Sequence, residues 1–165
     1  KKKYDDVLTI IIPRHIDRIE RIKSELEKLN LKTCLYSKFD EIDVGTDILL
    51  IDAYGESSKF FSIAKYVFLG GSLIKHGGQN PIEPSRLGCK IFHGPNIDNF
   101  FEIYEYLKSL KIANQIYNYE ELNQSLVEEF KLGKVDNNQI IEKIDNYGKN
   151  ILNNVINDLK KYINI

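Results

Sequence analysis

The chain has 165 residues, of which 42% are hydrophobic and 28% charged, with a formal net charge of -1. This is the make-up of an ordinary globular domain with one core, and it supplies no basic field to draw in a nucleic-acid backbone. No apolar run approaches the roughly 20 residues that span a bilayer, and no secretory leader pattern is visible. Cys34 and Cys89 stand alone, without CxxC or histidine spacing. They read as reduced, partly buried thiols, which fits the cytosol.

Strand and helix patterns then alternate along the chain. Val7-Leu8-Thr9-Ile10-Ile11-Ile12 is a continuous β-branched run, the mark of a strand covered on both faces of a parallel sheet. Ile16, Ile19, Ile22, Leu26 and Leu29 recur every three or four residues and predict an amphipathic helix. Residues 33–36 form a short strand and Ile48-Leu49-Leu50-Ile51 another, before a helix over 57–65 capped by Ser57 or Ser58. Val67 to Leu69 is again a strand, followed by a glycine loop, a helix over 81–87 and a strand over 91–93. A helix over 101–110, a weak strand over 114–117 and a helix over 120–130 complete the alternation. After a polar break at 133–138, Ile140, Ile144, Tyr147, Ile151, Val155, Leu159 and Tyr162 form one stripe of a long final helix. The pattern predicts an α/β fold with a doubly wound parallel sheet over 1–132 and a helical extension over 133–165. Ligands of such folds sit at the carboxyl ends of the strands.

The most specific segment is Gly70-Gly71-Ser72-Leu73-Ile74-Lys75-His76-Gly77-Gly78-Gln79-Asn80-Pro81-Ile82-Glu83-Pro84. Two glycine pairs let the backbone approach a ligand with no Cβ in the way. Asn80, Pro81 and Glu83 then satisfy the rules for an N-cap, a first helical residue and a capping-box partner. A strand, a glycine loop and a helix N-terminus together offer N–H groups and a positive dipole end to a phosphate. Other candidates also follow strand ends: Pro13-Arg14-His15, Tyr54-Gly55-Glu56 and Gly94-Pro95-Asn96. Each is weak alone: a lone arginine after a strand, as at Arg14, is more often a surface cation than a ligand clamp, and Tyr54-Gly55-Glu56 reads equally as a mere helix start. His76 fits a plain loop residue, His15 a helix cap and His93 a strand residue facing solvent. The run Asp40-Glu41-Ile42-Asp43 reads as an acidic solvated loop, because no histidine or further carboxylate is spaced to make it a metal site.

The block GGSLIKHGGQNPIEPSRLGCKIFHGPNIDNF, from 70 to 100, resembles the signature of the bacterial Kdo transferases, which add 3-deoxy-D-manno-octulosonic acid to lipid A precursors. The resemblance extends back through Asp52-Ala53-Tyr54-Gly55-Glu56 and Ile12-Pro13-Arg14-His15, in order and spacing, and covers about 7–110. It implies the C-terminal, donor-binding half of a GT-B glycosyltransferase: a Rossmann-like domain that holds the nucleotide sugar CMP-Kdo. It further implies a set of donor contacts. Pro13 and Arg14 match a nucleotide-contacting pair, and Tyr54, Gly55 and Glu56 a triplet in which the family commonly has another residue at Tyr54. Asn80, Pro81, Ile82 and Glu83 match a third contact, in which Glu83 either caps its own helix or accepts hydrogen bonds from ribose hydroxyls. Gly70, Gly71 and Ser72 would present backbone N–H groups to phosphate or sugar carboxylate.

By the same resemblance, Kdo is transferred with inversion, no cofactor or metal is expected, and the catalytic glutamate lies in an N-terminal domain. No residue of this chain is therefore assigned as the base. The family's first strand and helix precede the segment matching 7–12, so that βα unit is expected to be missing here, exposing two strand edges. The lipid A precursor would be reached through the N-terminal domain, at the cytoplasmic face of the bacterial inner membrane, with membrane contact only by way of the full-length protein. Two other readings stay open: a non-catalytic nucleotide-binding or assembly fragment, and a GT-B domain with a UDP-sugar donor.

Overall fold

The computed structural model describes residues 7–38, 42–132 and 138–163; half of the acidic run over 40–43 and most of the polar break over 133–138 lie outside them. The chain forms two compact units, Lys1–Phe60 and Phe61–Ile165.

The first unit contains strand β1 (Thr9–Ile11), a 3-10 turn (Ile16–Arg18), helix α1 (Ile19–Lys28), β2 (Thr33–Leu35), β3 (Ile48–Leu50) and, straddling its end, α2 (Ser57–Phe61). Its three strands are parallel in the order β1-β3-β2, with Ile10 and Cys34 flanking Leu49. Alternation then sends side chains to opposite faces. Leu35 and Leu50 pack with Ile19 and Ile22 of α1 on one face, while Leu49, Ile51 and Phe60 pack with Ile10 and Ile12 on the other. The predicted strand over 33–36 ends at Leu35, and Tyr36 starts a 3-10 turn through Lys38. The helix expected over 57–65 stops at Phe61, and Ser57 lies inside it rather than capping it.

The second unit contains β4 (Tyr66–Leu69), α3 (Ile82–Arg86), β5 (Lys90–His93), α4 (Phe101–Ser109), β6 (Ala113–Gln115), α5 (Tyr119–Leu132) and α6 (Asn138–Ile163). The strands are parallel in the order β4-β5-β6. Central β5 buries Ile91 and Phe92 completely. Tyr104 and Leu107 of α4 join Leu69, Ile91, Ile112 and Ile144 in the main core.

The parallel strands thus fall into two three-stranded sheets. In each, one edge strand is as apolar as an interior strand yet incompletely covered. Thr9 of β1 is exposed, with Ile10 and Ile11 half-buried, and Phe68 of β4 is 39% exposed. The opposite edge of the second sheet is the short segment Ala113-Asn114-Gln115, whose composition suits an edge.

The final helix is continuous, but its stripe docks only in part. Ile140 and Ile144 enter the core, Tyr147 stacks on Tyr106 with ring centroids 4.1 Å apart, and Asp145 accepts from Arg86 at 2.7 Å. Farther on, Ile151, Leu152, Val155, Leu159 and Tyr162 are exposed.

At the amino end of β5, Lys90 pairs with Glu129 of α5 at 3.1 Å and donates to the Lys111 carbonyl at 2.8 Å. Both side chains of the pair are largely buried, and Tyr66 donates to the Glu129 carbonyl at 3.1 Å. Cys89 is fully buried beside this strand, with its Sγ 3.2 Å from the Phe61 carbonyl, and burial pushes its pKa to about 11. Removing one charge of the Lys90–Glu129 pair strands the other in a poorly solvated place. Glu129→Gln is expected to destabilise the chain by about 1–3 kcal/mol, measured as a shift in urea midpoint; an unchanged midpoint would show the pair to be energetically idle.

Candidate functional site

The glycine loop leaves the carboxyl end of β4 and is fastened to the carboxyl end of β5. Ser72 is the fastener, and it is fully buried. Its Oγ donates to the Leu69 carbonyl at 2.6 Å and accepts the Gly94 N–H at 2.8 Å. Its carbonyl accepts from both the backbone N–H and the side-chain amide of Asn96, at 2.9 and 3.0 Å. The two loops run so close that a Cβ on Gly94 would collide with the Ser72 carbonyl. Glycine is obligatory there for space, whereas Gly71 is suited to its φ of +73°.

A second tie lies at the far end of the loop. Tyr104, buried in α4, donates from Oη to the Gln79 carbonyl at 2.9 Å, and burial drives its pKa upward. The Tyr104 ring lies against the His93 ring, centroids 4.3 Å apart. His93 is 2% exposed, not solvent-facing as its place in a short strand suggested. Its Nδ1 bonds the Gly94 carbonyl at 2.7 Å, which makes Nδ1 the protonated nitrogen and Nε2 an acceptor. Nε2 has no partner among the described residues. Burial pushes the His93 pKa below 6.5, outweighing the upward pull of the Gly94 bond, so the ring stays neutral.

Helix α3 begins one residue later than its sequence implies: Pro81, not Asn80, occupies the N-cap position and makes no side-chain cap bond. Asn80 Oδ1 accepts the Ile82 N–H at 3.0 Å from just before the helix, and Pro81 and Pro84 are buried behind it. At five residues, however, α3 carries little of the macrodipole that a longer helix would aim at an anion. Any attraction for a phosphate would then come chiefly from the loop backbone. Gly70, Asn80, Ile82 and Glu83 are exposed, Gly71 is half-buried, and the Ser72 side chain is fully committed to the fold.

In the first unit, Pro13 is half-buried and Arg14 exposed just past β1. His15 occupies the N-cap position of the 3-10 turn without a side-chain cap bond. Tyr54 and Gly55 are exposed past β3, with Gly55 at φ +81° and Glu56 half-buried. Just upstream, Asp52 Oδ1 accepts the Ser37 N–H at 2.8 Å, and Oδ2 accepts the Ser37 hydroxyl. Burial acts to raise the Asp52 pKa, but the Ser37 hydrogen bonds outweigh it and hold the carboxyl below 3.8. Sequence reasoning gave Asp52 and Tyr104 no site role and turned His93 to solvent, because each has a partner 11 to 25 residues distant that no local spacing announces. Among the described residues, no three His, Cys, Asp or Glu side chains group as metal ligands, and no helix is long and apolar enough to cross a membrane.

Parallel strands with glycine-bearing turns at their carboxyl ends place the chain in the Rossmann-like class of α/β folds. No protein-family model matches it. It is 31% identical over 163 residues to a 3-deoxy-D-manno-octulosonic acid transferase of Rickettsia prowazekii, covering 99% of the chain and 34% of that protein. A transferase of the same description from Haemophilus influenzae is 27% identical over 150 residues, covering 91% of the chain and 34% of the relative. The chain therefore spans about a third of the length of these relatives. Its fold is that of the C-terminal CMP-Kdo binding domain of WaaA from Acinetobacter baumannii, with a TM-score of 0.74, 22% identity, and coverage of 92% of this chain and 76% of that one. The chain is thus a relative of the Kdo transferases, corresponding to a segment with the fold of their C-terminal domain.

Two outcomes test the fastening. Ser72→Ala removes the acceptor of the Gly94 N–H and the donor to Leu69, so a loss of about 2–4 kcal/mol is expected from two buried groups left unpaired; a thermal or urea shift well under 1 kcal/mol would contradict it. For His93, the unfolded ring takes up a proton near pH 6.5 while the folded one resists. The unfolded state then binds more protons, so the His93 contribution to stability is full above pH 6.5 and falls as the pH drops through the folded value. His93→Gln should flatten the stability-against-pH curve below pH 6.5; an identical slope in both proteins would exclude His93 as its source.

Proposed function

We propose that this chain is the donor-binding part of a Kdo transferase and that its ligand is CMP-Kdo. The observation that carries this reading is the glycine loop tied into the carboxyl end of a parallel sheet, in a chain related to Kdo transferases and sharing the fold of a CMP-Kdo binding domain. Pro13, Arg14, Tyr54, Gly55 and Glu56 in the first unit, and Gly70, Gly71, Ser72, Asn80, Pro81, Ile82 and Glu83 in the second, are the proposed donor-contacting residues. Asn80 has its side-chain oxygen engaged by the Ile82 N–H, so it acts by setting the backbone. Ser72 is likewise a backbone contributor.

The chemistry asks two things of a protein: a base for the acceptor hydroxyl, and stabilisation of charge gathering on the departing phosphate. The second task suits the loop backbone and the Arg14 guanidinium, whose planar fork matches phosphate oxygens. Neither needs a metal. The first task is assigned to no residue of this chain, so transfer to a lipid A precursor requires a glutamate from another part of the enzyme, working at the cytoplasmic face of the inner membrane.

Calorimetric titration with CMP is the direct test. Binding is expected, and Arg14→Ala or Glu83→Ala should each weaken it by about 1–3 kcal/mol, the cost of a charged or buried partner lost. A folded chain that takes up no CMP would instead be a non-catalytic fragment, and a preference for uridine nucleotides would indicate a different donor.

A further inference from the structure

Tyr36, Glu56 and Lys59 form a connected group in the first unit, of which only Glu56 is among the proposed donor contacts. Tyr36 lies just past β2, Glu56 just before α2, and Lys59 within it. Lys59 Nζ donates to Tyr36 Oη at 2.6 Å, and Tyr36 Oη donates to Glu56 Oε2 at 3.1 Å. Lys59 Nζ also stands 3.8 Å from the same carboxylate oxygen. The Tyr36 ring is held edge-on against buried Phe60, centroids 5.3 Å apart, which fixes where its hydroxyl can be. The hydrogen bond to Tyr36 raises the Lys59 pKa above the ordinary 10.5.

We propose that Tyr36 and Lys59 are positioning residues that set the Glu56 carboxylate to receive a ribose hydroxyl of the nucleotide. The proposal rests on the nucleotide-binding reading above. A glutamate side chain alone surrenders considerable rotamer freedom to hold one geometry. Here the Tyr36 and Lys59 contacts both fall on Oε2, so the carboxylate is anchored before a ligand arrives and Oε1 is left to accept a hydroxyl. Donation from Lys59 polarises the tyrosine O–H and strengthens its own donation onward. The ammonium also offsets the carboxylate charge, so an anionic nucleotide is not repelled by the group that reads its sugar.

The test uses the chain itself, with CMP and 2′,3′-dideoxy-CMP as probes. Tyr36→Phe keeps the ring against Phe60, and Lys59→Met changes an exposed side chain, so both variants should fold. Each is expected to weaken CMP binding about 3- to 10-fold, the range of a single hydrogen bond. Neither should weaken it further when Glu56 is already Gln, and neither should alter binding of the dideoxy nucleotide. Equal losses for both nucleotides, or full CMP affinity in both variants while Glu56→Gln loses it, overturns the proposal. A carbon-13 NMR titration of the Lys59 side chain reads the relay without ligand: Lys59 should titrate above an ordinary lysine and move down toward it in Tyr36→Phe. No difference between the two proteins refutes the relay, whatever CMP does. A displaced Lys59 titration in a chain that binds no CMP overturns the nucleotide reading instead.

Discussion

One buried hydroxyl holds the second unit's site in shape. Ser72 Oγ takes the Gly94 N–H and gives its proton to the Leu69 carbonyl, while the Ser72 carbonyl serves Asn96 twice. The loops following β4 and β5 therefore cannot move apart without leaving buried backbone groups unpaired. Tyr104 repeats the device at Gln79, near the opposite end of the loop. A loop with glycines in the left-handed region would otherwise be expensive to order, since glycine loses the most freedom on folding. Folding has already met that cost here. A ligand would meet a backbone that is largely preorganised, so more of its interaction energy would appear as affinity.

The two units handle their polar groups differently. Around the glycine loop of the second, the ties are neutral, buried and between backbone and side chain, and the titratable groups among them, His93 and Tyr104, are pushed by burial toward their uncharged forms. In the first, the ties involve charged carboxylates: Asp52 held by Ser37, and Glu56 held by Tyr36 with Lys59. Neutral ties tolerate burial because nothing must be desolvated as an ion. Charged ties remain nearer to water and keep their charge.

Much of this was legible in the sequence wherever periodicity or local chemistry decides the outcome. The β-branched run at 7–12, the apolar Ile48-Leu49-Leu50 and the Tyr66-Val67-Phe68-Leu69 segment all became strands. Asn80-Pro81 announced a helix start, which falls one residue later, at Ile82, with the Asn80 side chain accepting the Ile82 N–H from outside the cap position. Element ends were less legible: α2 stops at Phe61, although Ser62, Ile63 and Ala64 continue a permissible helical pattern. Strand pairing is non-local, so nothing in the sequence alone dictated two sheets of three. The role of Ser72 was hidden for the same reason. Its neighbours in sequence suggest a ligand contact, but its partners Gly94 and Asn96 lie 22 and 24 residues away. His93 was misread because a four-residue strand gives no period by which to assign a face; its central place in the sheet, which buries it, is a tertiary fact.

The half-docked final helix has a dynamic consequence. Its first turns share a core with Leu69, Ile91 and Leu107, while the turns beyond Gly148 carry side chains such as Val155 and Tyr162, 50% and 87% exposed. Backbone amides in one continuous helix would then exchange with solvent by two routes. Those near Ile144 must wait for the second unit to open, whereas those near Leu159 escape by local opening of turns that no core supports. Helical hydrogen bonding alone would protect both ends alike. The boundary between the two regimes, near Gly148, would mark where packing stops supporting the helix.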